Sequence, residues 1–185
     1  IPVSYEASIV HDFARNSAAL REWLLSSVGY CRLEDSYHPG VFRLARYNGG
    51  VSFTDFTQLC RAAKVKLSFD CKPQRFLKMG EIPLENPAAV YNPTAFPAKP
   101  IVLLEMAAAS GLVAIGDCTI AIIDAAAGDT IIIDAETLDA TGLDGGNRNS
   151  QVSVGNELVL AGSTATSIVS TGVRNLTITP RWWTV

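Results

Sequence analysis

Few residues in this chain could support hydrolytic chemistry, and their spacing does not form a recognisable active site. The two histidines are His11 and His38, and Cys31 is a cysteine that could in principle meet His38. A hydrolytic triad requires a histidine within reach of its nucleophile, which a strained turn often presents. Nothing around Cys31 resembles such a turn, and His38 stands directly before a Pro-Gly turn. We therefore expect both histidines to be surface residues, no catalytic residue, and a protein that is not an enzyme.

The acidic stretch at residues 134–147 is a second candidate site, because Asp139 and Asp144 could ligate calcium. An EF-hand loop places carboxylates or amides at alternate positions. Here Thr141 and Leu143 stand at positions that should supply them. We expect turn residues at the end of a strand rather than a metal site. The sequence also lacks a phosphate loop, a dinucleotide fingerprint and zinc-ligand spacing, so no cofactor is expected.

The overall composition excludes several classes of partner. Charged residues make up 18% of the 185 residues and the net charge is -3, which gives no basic footprint for nucleic-acid recognition. The longest apolar run, residues 119–127, is broken by Asp124 and is much shorter than the ~20 residues of a membrane span. No C-x-x-C pair occurs, so we expect reduced thiols in an intracellular protein at Cys31, Cys60, Cys71 and Cys118.

The first half of the chain predicts antiparallel strands. Apolar and polar residues alternate over residues 3–10, and residues 41–47 are a second predicted strand, between a His-Pro-Gly turn and an Asn-Gly-Gly turn. The clearest alternation runs over residues 63–71, where Val65, Leu67 and Phe69 should face a core while the polar residues that alternate with them face water. A sheet covered on one face is typical of an α+β arrangement.

A helix is expected between the first two of these strands. Leu20, Trp23 and Leu24 recur at helical spacing and predict an apolar stripe that packs on the sheet. Asn16 or Ser17 is the expected N-cap, because either side chain can accept a hydrogen bond from a first-turn N–H group.

The second half predicts an all-β structure behind an extended strap. Prolines recur too often over residues 81–100 for a helix or a central strand, so we interpret this segment as a strap and a domain boundary. Beyond it, short strands separated by glycine turns favour a β-sandwich or a jelly roll. The predicted strands are residues 101–106, 112–123, 130–135, 157–161 and 173–179.

The C-terminal residues should be anchored rather than loose. Pro180 cannot donate to a sheet ladder and is expected to end the last long strand. Arg181, Trp182 and Trp183 follow, and two indoles each able to bury roughly 150–250 Å² would not stand on a mobile tail. They could plug the protein's own core, pack against another subunit, or bind a sugar ring. We favour plugging or intersubunit packing.

Several short signatures, taken in order, resemble one known family. They are the Cys-Lys-Pro-Gln-Arg-Phe motif of residues 71–76 at the end of a strand, the Pro/Asn-rich strap, the Ile-Ile-Asp-Ala-Glu segment of residues 132–136, the Gly-Gly-Asn-Arg-Asn loop of residues 145–149 and a closing Pro-Arg-Trp-Trp motif. Together they resemble the distal tail proteins of siphophages, the Dit-like phage tail family, over most of the chain. The residues that we assign to this structural signature are Lys72, Pro73, Arg75, Phe76, Pro180, Arg181, Trp182 and Trp183.

The resemblance implies a structural role. It implies a ring-forming α+β domain at residues 1–80 that lacks expected N-terminal strands, the strap at 81–100, and a galectin-like β-sandwich at 101–185. Such proteins form hexameric rings that cap the tail tube and dock tail-tip or baseplate proteins. The resemblance therefore implies a virion tail protein of a phage or prophage, assembled in the cytoplasm of the bacterial host. The alternative is a carbohydrate-binding β-sandwich module, for which a host-surface sugar would be the ligand.

Overall fold

The chain divides into two compact units, which are described separately below. The computed structural model describes residues 2–10, 12–51, 53–54 and 62–185. The first unit comprises Ile1–Arg75 together with Val185, and the second comprises Phe76–Thr184. The described part of the chain is mostly β with one α-helix, which is consistent with the α+β prediction.

The first unit is a helix and an antiparallel sheet. Its elements are β1 (Pro2–Val10), α1 (Phe13–Leu25), β2 (Cys31–Leu33), β3 (Val41–Tyr47), β4 (Phe53–Thr54) and β5 (Ala62–Leu77), whose last residues enter the second unit. The strand order is β1-β5-β3-β2, with β4 also paired to β5. The strands predicted at residues 3–10, 41–47 and 63–71 are all present.

The predicted alternation along β5 determines which of its side chains form the core of the first unit. Val65, Leu67 and Phe69 are buried, whereas Lys64 and Lys66 are exposed. The ring of Phe69 meets those of Tyr5 and Tyr47 edge to face, with centroids 6.1 and 5.7 Å apart. The sheet therefore has one apolar face and one wet face, as the sequence predicts.

The helix begins earlier than predicted, and its apolar stripe is narrower. Asp12 is the N-cap, with a φ of 32°, and its carboxylate accepts the N–H of Arg15 at 3.4 Å. Asn16 and Ser17 therefore lie inside the helix, and the N-cap prediction was wrong. Leu24 is buried and Leu20 half-buried, but Trp23 is 59% exposed, so the predicted stripe does not extend to Trp23.

The second unit consists of two five-stranded antiparallel sheets around one core. The sheet orders are β13-β10-β9-β14-β7 and β12-β11-β8-β15-β6. The strands are β6 (Leu84–Glu85), β7 (Ala89–Tyr91), β8 (Ile101–Met106), β9 (Gly111–Ile115), β10 (Cys118–Ile122), β11 (Thr130–Asp134), β12 (Asp139–Gly142), β13 (Val152–Val154), β14 (Ala165–Thr171) and β15 (Val173–Thr179). A last strand, β16 (Trp183–Thr184), pairs with β5.

Two of the predicted strands in this half were wrong. The apolar run at residues 112–123 is a hairpin of β9 and β10, because Gly116 adopts a φ of 58° and reverses the chain. Residues 157–161 contribute only an isolated bridge between Leu160 and Ala98, although Leu158 and Leu160 are buried. Burial of apolar residues does not require a strand ladder, so their pattern was misleading.

The Pro-rich segment lies within the second unit. β6 and β7 come from it, and each is the outermost strand of its sheet. This position suits a segment whose prolines cannot donate to a ladder on both sides.

Candidate functional site

The C-terminal residues 180–184, which we name the C-terminal anchor, are fixed chiefly by Arg181. The guanidinium binds the carboxylate of Asp134 with two hydrogen bonds, Nη1 to Oδ2 at 3.0 Å and Nη2 to Oδ1 at 2.6 Å. Nε of Arg181 donates to the carbonyl oxygen of Lys99 at 2.7 Å. The backbone N–H of Arg181 donates to the carbonyl oxygen of Gly80 at 2.8 Å. Arg181 has a φ of 56°, in the left-handed region that non-glycine residues seldom occupy. The hydrogen bonds to Asp134, Lys99 and Gly80 hold Arg181 in this backbone conformation.

The environment of Asp134 favours the ionised carboxylate that pairs with Arg181. Burial raises the pKa of Asp134, but hydrogen bonds from Arg181 and from the backbone N–H of Glu136 outweigh it, so the pKa lies below its ordinary value. Asp134 is therefore held as an anion opposite Arg181.

The two tryptophans of the anchor are part of the protein's own packing. Trp182 is 8% exposed and its carbonyl oxygen accepts the N–H of Leu77 at 2.8 Å. Trp183 stacks on Phe96, with ring centroids 4.5 Å apart, and donates Nε1–H to the carbonyl oxygen of Pro97 at 3.0 Å. The predicted docking of the C-terminus is confirmed.

Close packing at the anchor requires a glycine at position 80. A Cβ added to Gly80 would lie 2.5 Å from the backbone nitrogen of Trp182 and 3.2 Å from its Cβ. Both contacts involve backbone or the root of a side chain, so neither can swing away. Sequence inspection did not identify Gly80, because its partner lies a hundred residues later.

The other signature residues do not gather at the anchor as a group. Lys72 and Pro73 are exposed on β5, and the Lys72 ammonium lies 5.5 Å from the centroid of the Tyr30 ring. Arg75 and Phe76 are half-buried further along β5. Their role as a family signature stays a prediction.

His38 contacts the carboxylate of Asp35 in a polar cluster of the first unit, and not a nucleophilic side chain. Its Nδ1 lies 3.1 Å from Oδ1 of Asp35, which also accepts the His38 backbone N–H at 2.8 Å. Tyr5 donates its hydroxyl to Oδ2 of Asp35 at 2.8 Å. Burial, followed by the hydrogen bond from Tyr5 to Asp35 and the Asp35 charge, raises the pKa of Tyr5 to about 12. His11 and Cys60 lie outside the described residues, and Cys31 is exposed.

The acidic loop between β12 and β13 uses its carboxylates to hold turns. Asp144 Oδ1 accepts the N–H of Gly146 at 3.0 Å, and its other oxygen lies 3.9 Å from Nη2 of Arg148. Asp139 accepts from the Asn149 amide at 3.4 Å. Within the part of the chain that the structure describes, no three His, Cys, Asp or Glu side chains converge to hold a metal ion.

Asn92 is a structural residue that sequence inspection missed. It is completely buried, and its amide nitrogen donates to the carbonyl oxygens of Phe96 and Leu160 at 2.9 and 3.0 Å. Its Oδ1 accepts both the N–H and the hydroxyl of Thr94. The signal was an Asn-Pro-Thr sequence inside the strap, since asparagine often bonds to the backbone two residues on.

Among its described residues, the first unit has edge strands and a groove with a mixed polar and apolar lining. β1 and β2 stand at opposite ends of the strand order. A groove of about 150 Å³ lies near β2, lined in part by Trp23, Leu24 and Tyr47. The Tyr47 hydroxyl is buried and has no hydrogen-bond partner among the described residues. Helical periodicity assigned Trp23 to the core, whereas in the structure Trp23 is exposed and lines this surface groove.

No described helix is long and apolar enough to cross a membrane.

Comparison with known proteins gives a match in structure. No protein-family model matches the sequence, and a search of curated proteins gives no match. Among solved structures, the chain matches SPP1 Dit, a hub adsorption apparatus protein of phages that infect Gram-positive bacteria. The TM-score is 0.75 at 14% sequence identity, and the match covers 100% of this chain and 78% of SPP1 Dit. The resemblance to distal tail proteins that the sequence predicts is thereby confirmed at the level of the fold.

Proposed function

We propose that this chain is a structural hub at the distal end of a phage tail tube, with no catalytic role. The observation that carries the proposal is that the whole chain, not one unit of it, has the fold of a hub protein of an adsorption apparatus. The signature residues point the same way.

The first unit would form the ring. A tail tube is a channel, so its terminal component must surround the lumen, and head-to-tail contacts that close produce a ring. β1 and β2 are different edge strands at opposite ends of one sheet, and such edges can pair between copies. We propose a hexamer, as in the family that the sequence resembles.

The remaining parts of the proposal follow the same resemblance. We assign the ring-forming domain to residues 1–80, the strap to 81–100 and a galectin-like sandwich to 101–185. The sandwich would dock tail-tip or baseplate proteins, and the ring would meet the tail tube protein. The chain would be assembled in the cytoplasm of a bacterial host, from a phage or prophage gene, and reside in the virion tail.

The carbohydrate-binding alternative is not favoured. It relied on the C-terminal aromatics being available to a sugar ring. Trp182 is buried, and Trp183 uses its ring and its N–H on Phe96 and Pro97. A sugar would have to displace these contacts.

Mass and shape in solution test the proposal. Light scattering on the full-length protein alone should give a mass of about six copies. The sample with its tail-tip protein should give a larger mass, and negative-stain images should show a ring with a central channel. A strictly monomeric protein in both samples, well above micromolar concentration, would overturn the hub proposal.

A further inference from the structure

One face of the second unit lacks charge. Within residues 76–184, all of which the structure describes, the five strands of the sheet β13-β10-β9-β14-β7 contain no Asp, Glu, Lys, Arg or His. Alternate residues on these strands, such as Val113, Ile115 and Ile120, are buried in the core. Their neighbours point outward, and we name that outward surface the neutral face. Its central residues are Tyr91, Leu112, Ala114, Ala121, Ser167 and Val169.

The other sheet of the same unit provides an internal comparison. Its outward positions include Glu85, Glu105, Asp134 and Asp139. A solvated sheet face normally carries such polar and charged residues. The neutral face is therefore unusual within its own domain.

The neutral face suits burial against another protein. Tyr91, Leu112 and Val169 are 60%, 50% and 65% exposed. Covering the face would desolvate no charge, and alanine, serine and valine lose little rotamer freedom on burial. Depletion of charged residues is also one of the features that distinguish the centre of protein interfaces from other surface.

The margin of the face is acidic. Asp117 and Asp124 stand at the two ends of β10, Glu157 follows β13, and all three are exposed. The second unit as a whole has five Lys and Arg against eleven Asp and Glu, a net charge of -6. A partner would thus meet an uncharged centre with negative charge along its β10 and β13 side.

We propose that the neutral face docks a different protein of the tail, through a flat uncharged patch with a basic margin. This inference rests on the proposed hub role and names the surface that would perform it. A small ligand fits poorly, because such sites are concave whereas this is the outer face of a sheet. A second copy fits poorly too, because its acidic margin would face an acidic margin.

The size of the face indicates how the partner would bind. Five strands spaced about 4.8 Å apart and about five residues long at ~3.3 Å each cover roughly 400 Å². A stable interface needs about 800 Å² from each partner. One face would therefore bind weakly, and a ring that presents several faces would bind through their combined effective concentration.

Photo-crosslinking within assembled tails tests the proposal. We would place a benzophenone amino acid at position 169 in the full-length chain, expressed with the other genes of its tail. Leu143, which is 73% exposed in a loop of the same unit, is the matched control position. The crosslink from position 169, identified by mass spectrometry, should join a different tail protein, and position 143 should give none to that protein. A crosslink only to another copy of this chain, or none at position 169, would overturn the proposal.

Charge substitutions give a second, independent test. Val169→Glu and Val169→Lys should each reduce the amount of that tail protein in purified tails at least about tenfold, because either charge would be buried without a partner. Val169→Thr and Leu143→Glu should leave it unchanged. An effect of only one of the two charges would show an electrostatic contact instead, and equal occupancy in all variants would refute the docking surface.

The ring must be followed in the same samples. Each variant should keep the mass of the wild-type ring, so a loss of the docked protein reports on the face alone. If the wild-type chain forms no ring and is absent from purified tails, the hub role itself fails. A normal ring that carries its partner after Val169→Glu contradicts only the neutral face.

Discussion

Replacing Arg181 with alanine should destabilise the second unit far more than replacing any exposed arginine. The change removes three hydrogen bonds from one guanidinium, two to Asp134 and one to the carbonyl oxygen of Lys99. Hydrogen bonds to charged groups contribute about 1.5–3 kcal/mol each and are not additive when they share a donor group. The side chains are 24% and 31% exposed, so solvent screening reduces the total. We expect a loss of about 2–4 kcal/mol in the free energy of unfolding.

The matched control is Arg174→Ala. Arg174 also contacts a carboxylate, with Nη1 3.0 Å from Oε1 of Glu105, but its side chain is 58% exposed. An exposed ion pair contributes about 0–1 kcal/mol, so this variant should change stability by less than about 1 kcal/mol. The comparison separates the anchored contact from an ordinary surface pair in the same unit.

Urea unfolding followed by tryptophan fluorescence measures both variants. Trp23 belongs to the first unit, whereas Trp182 and Trp183 belong to the second. A Trp23→Phe background therefore makes the signal specific to the second unit. If Arg181→Ala and Arg174→Ala differ by less than about 0.5 kcal/mol, the reasoning that the anchor depends on Arg181 is wrong.

Three further predictions concern stability. Because the pKa of Asp134 is lowered in the folded protein, its contribution is present above the unfolded value of about 3.9 and lost as the pH falls through the folded value; the stability gap between wild type and Asp134→Asn should therefore close in acid titrations. Phe69→Ala should cost about 3–5 kcal/mol as a deletion in the core, against less than about 0.5 kcal/mol for Lys66→Ala, and similar costs in chemical denaturation would contradict the register of β5. Gly80→Ala should lower thermal stability by more than about 1 kcal/mol, because the new Cβ meets the backbone of Trp182, and an unchanged midpoint would count against that close approach.

The sequence determined those features that depend on neighbours along the chain. The period of two at residues 63–71 predicted which side chains of β5 face the core, because strand geometry alone sends alternate residues to opposite faces. Pro180 predicted the end of β15 at Thr179, since proline has no N–H to donate. The large apolar area of two adjacent tryptophans predicted an anchored C-terminus. Short signatures in a fixed order predicted the fold of the distal tail proteins.

The tertiary structure decided those features that depend on residues distant in sequence. Arg181 binds Asp134, which lies 47 residues earlier, and no local pattern indicates that pair. Trp23 fits a helical stripe in the sequence, yet the sheet covers only part of that stripe and leaves Trp23 exposed. The neutral face exists because β7, β9, β10, β13 and β14 become neighbours in one sheet. Each strand alone has too few residues for the lack of charge to be noticeable, so only their pairing shows it.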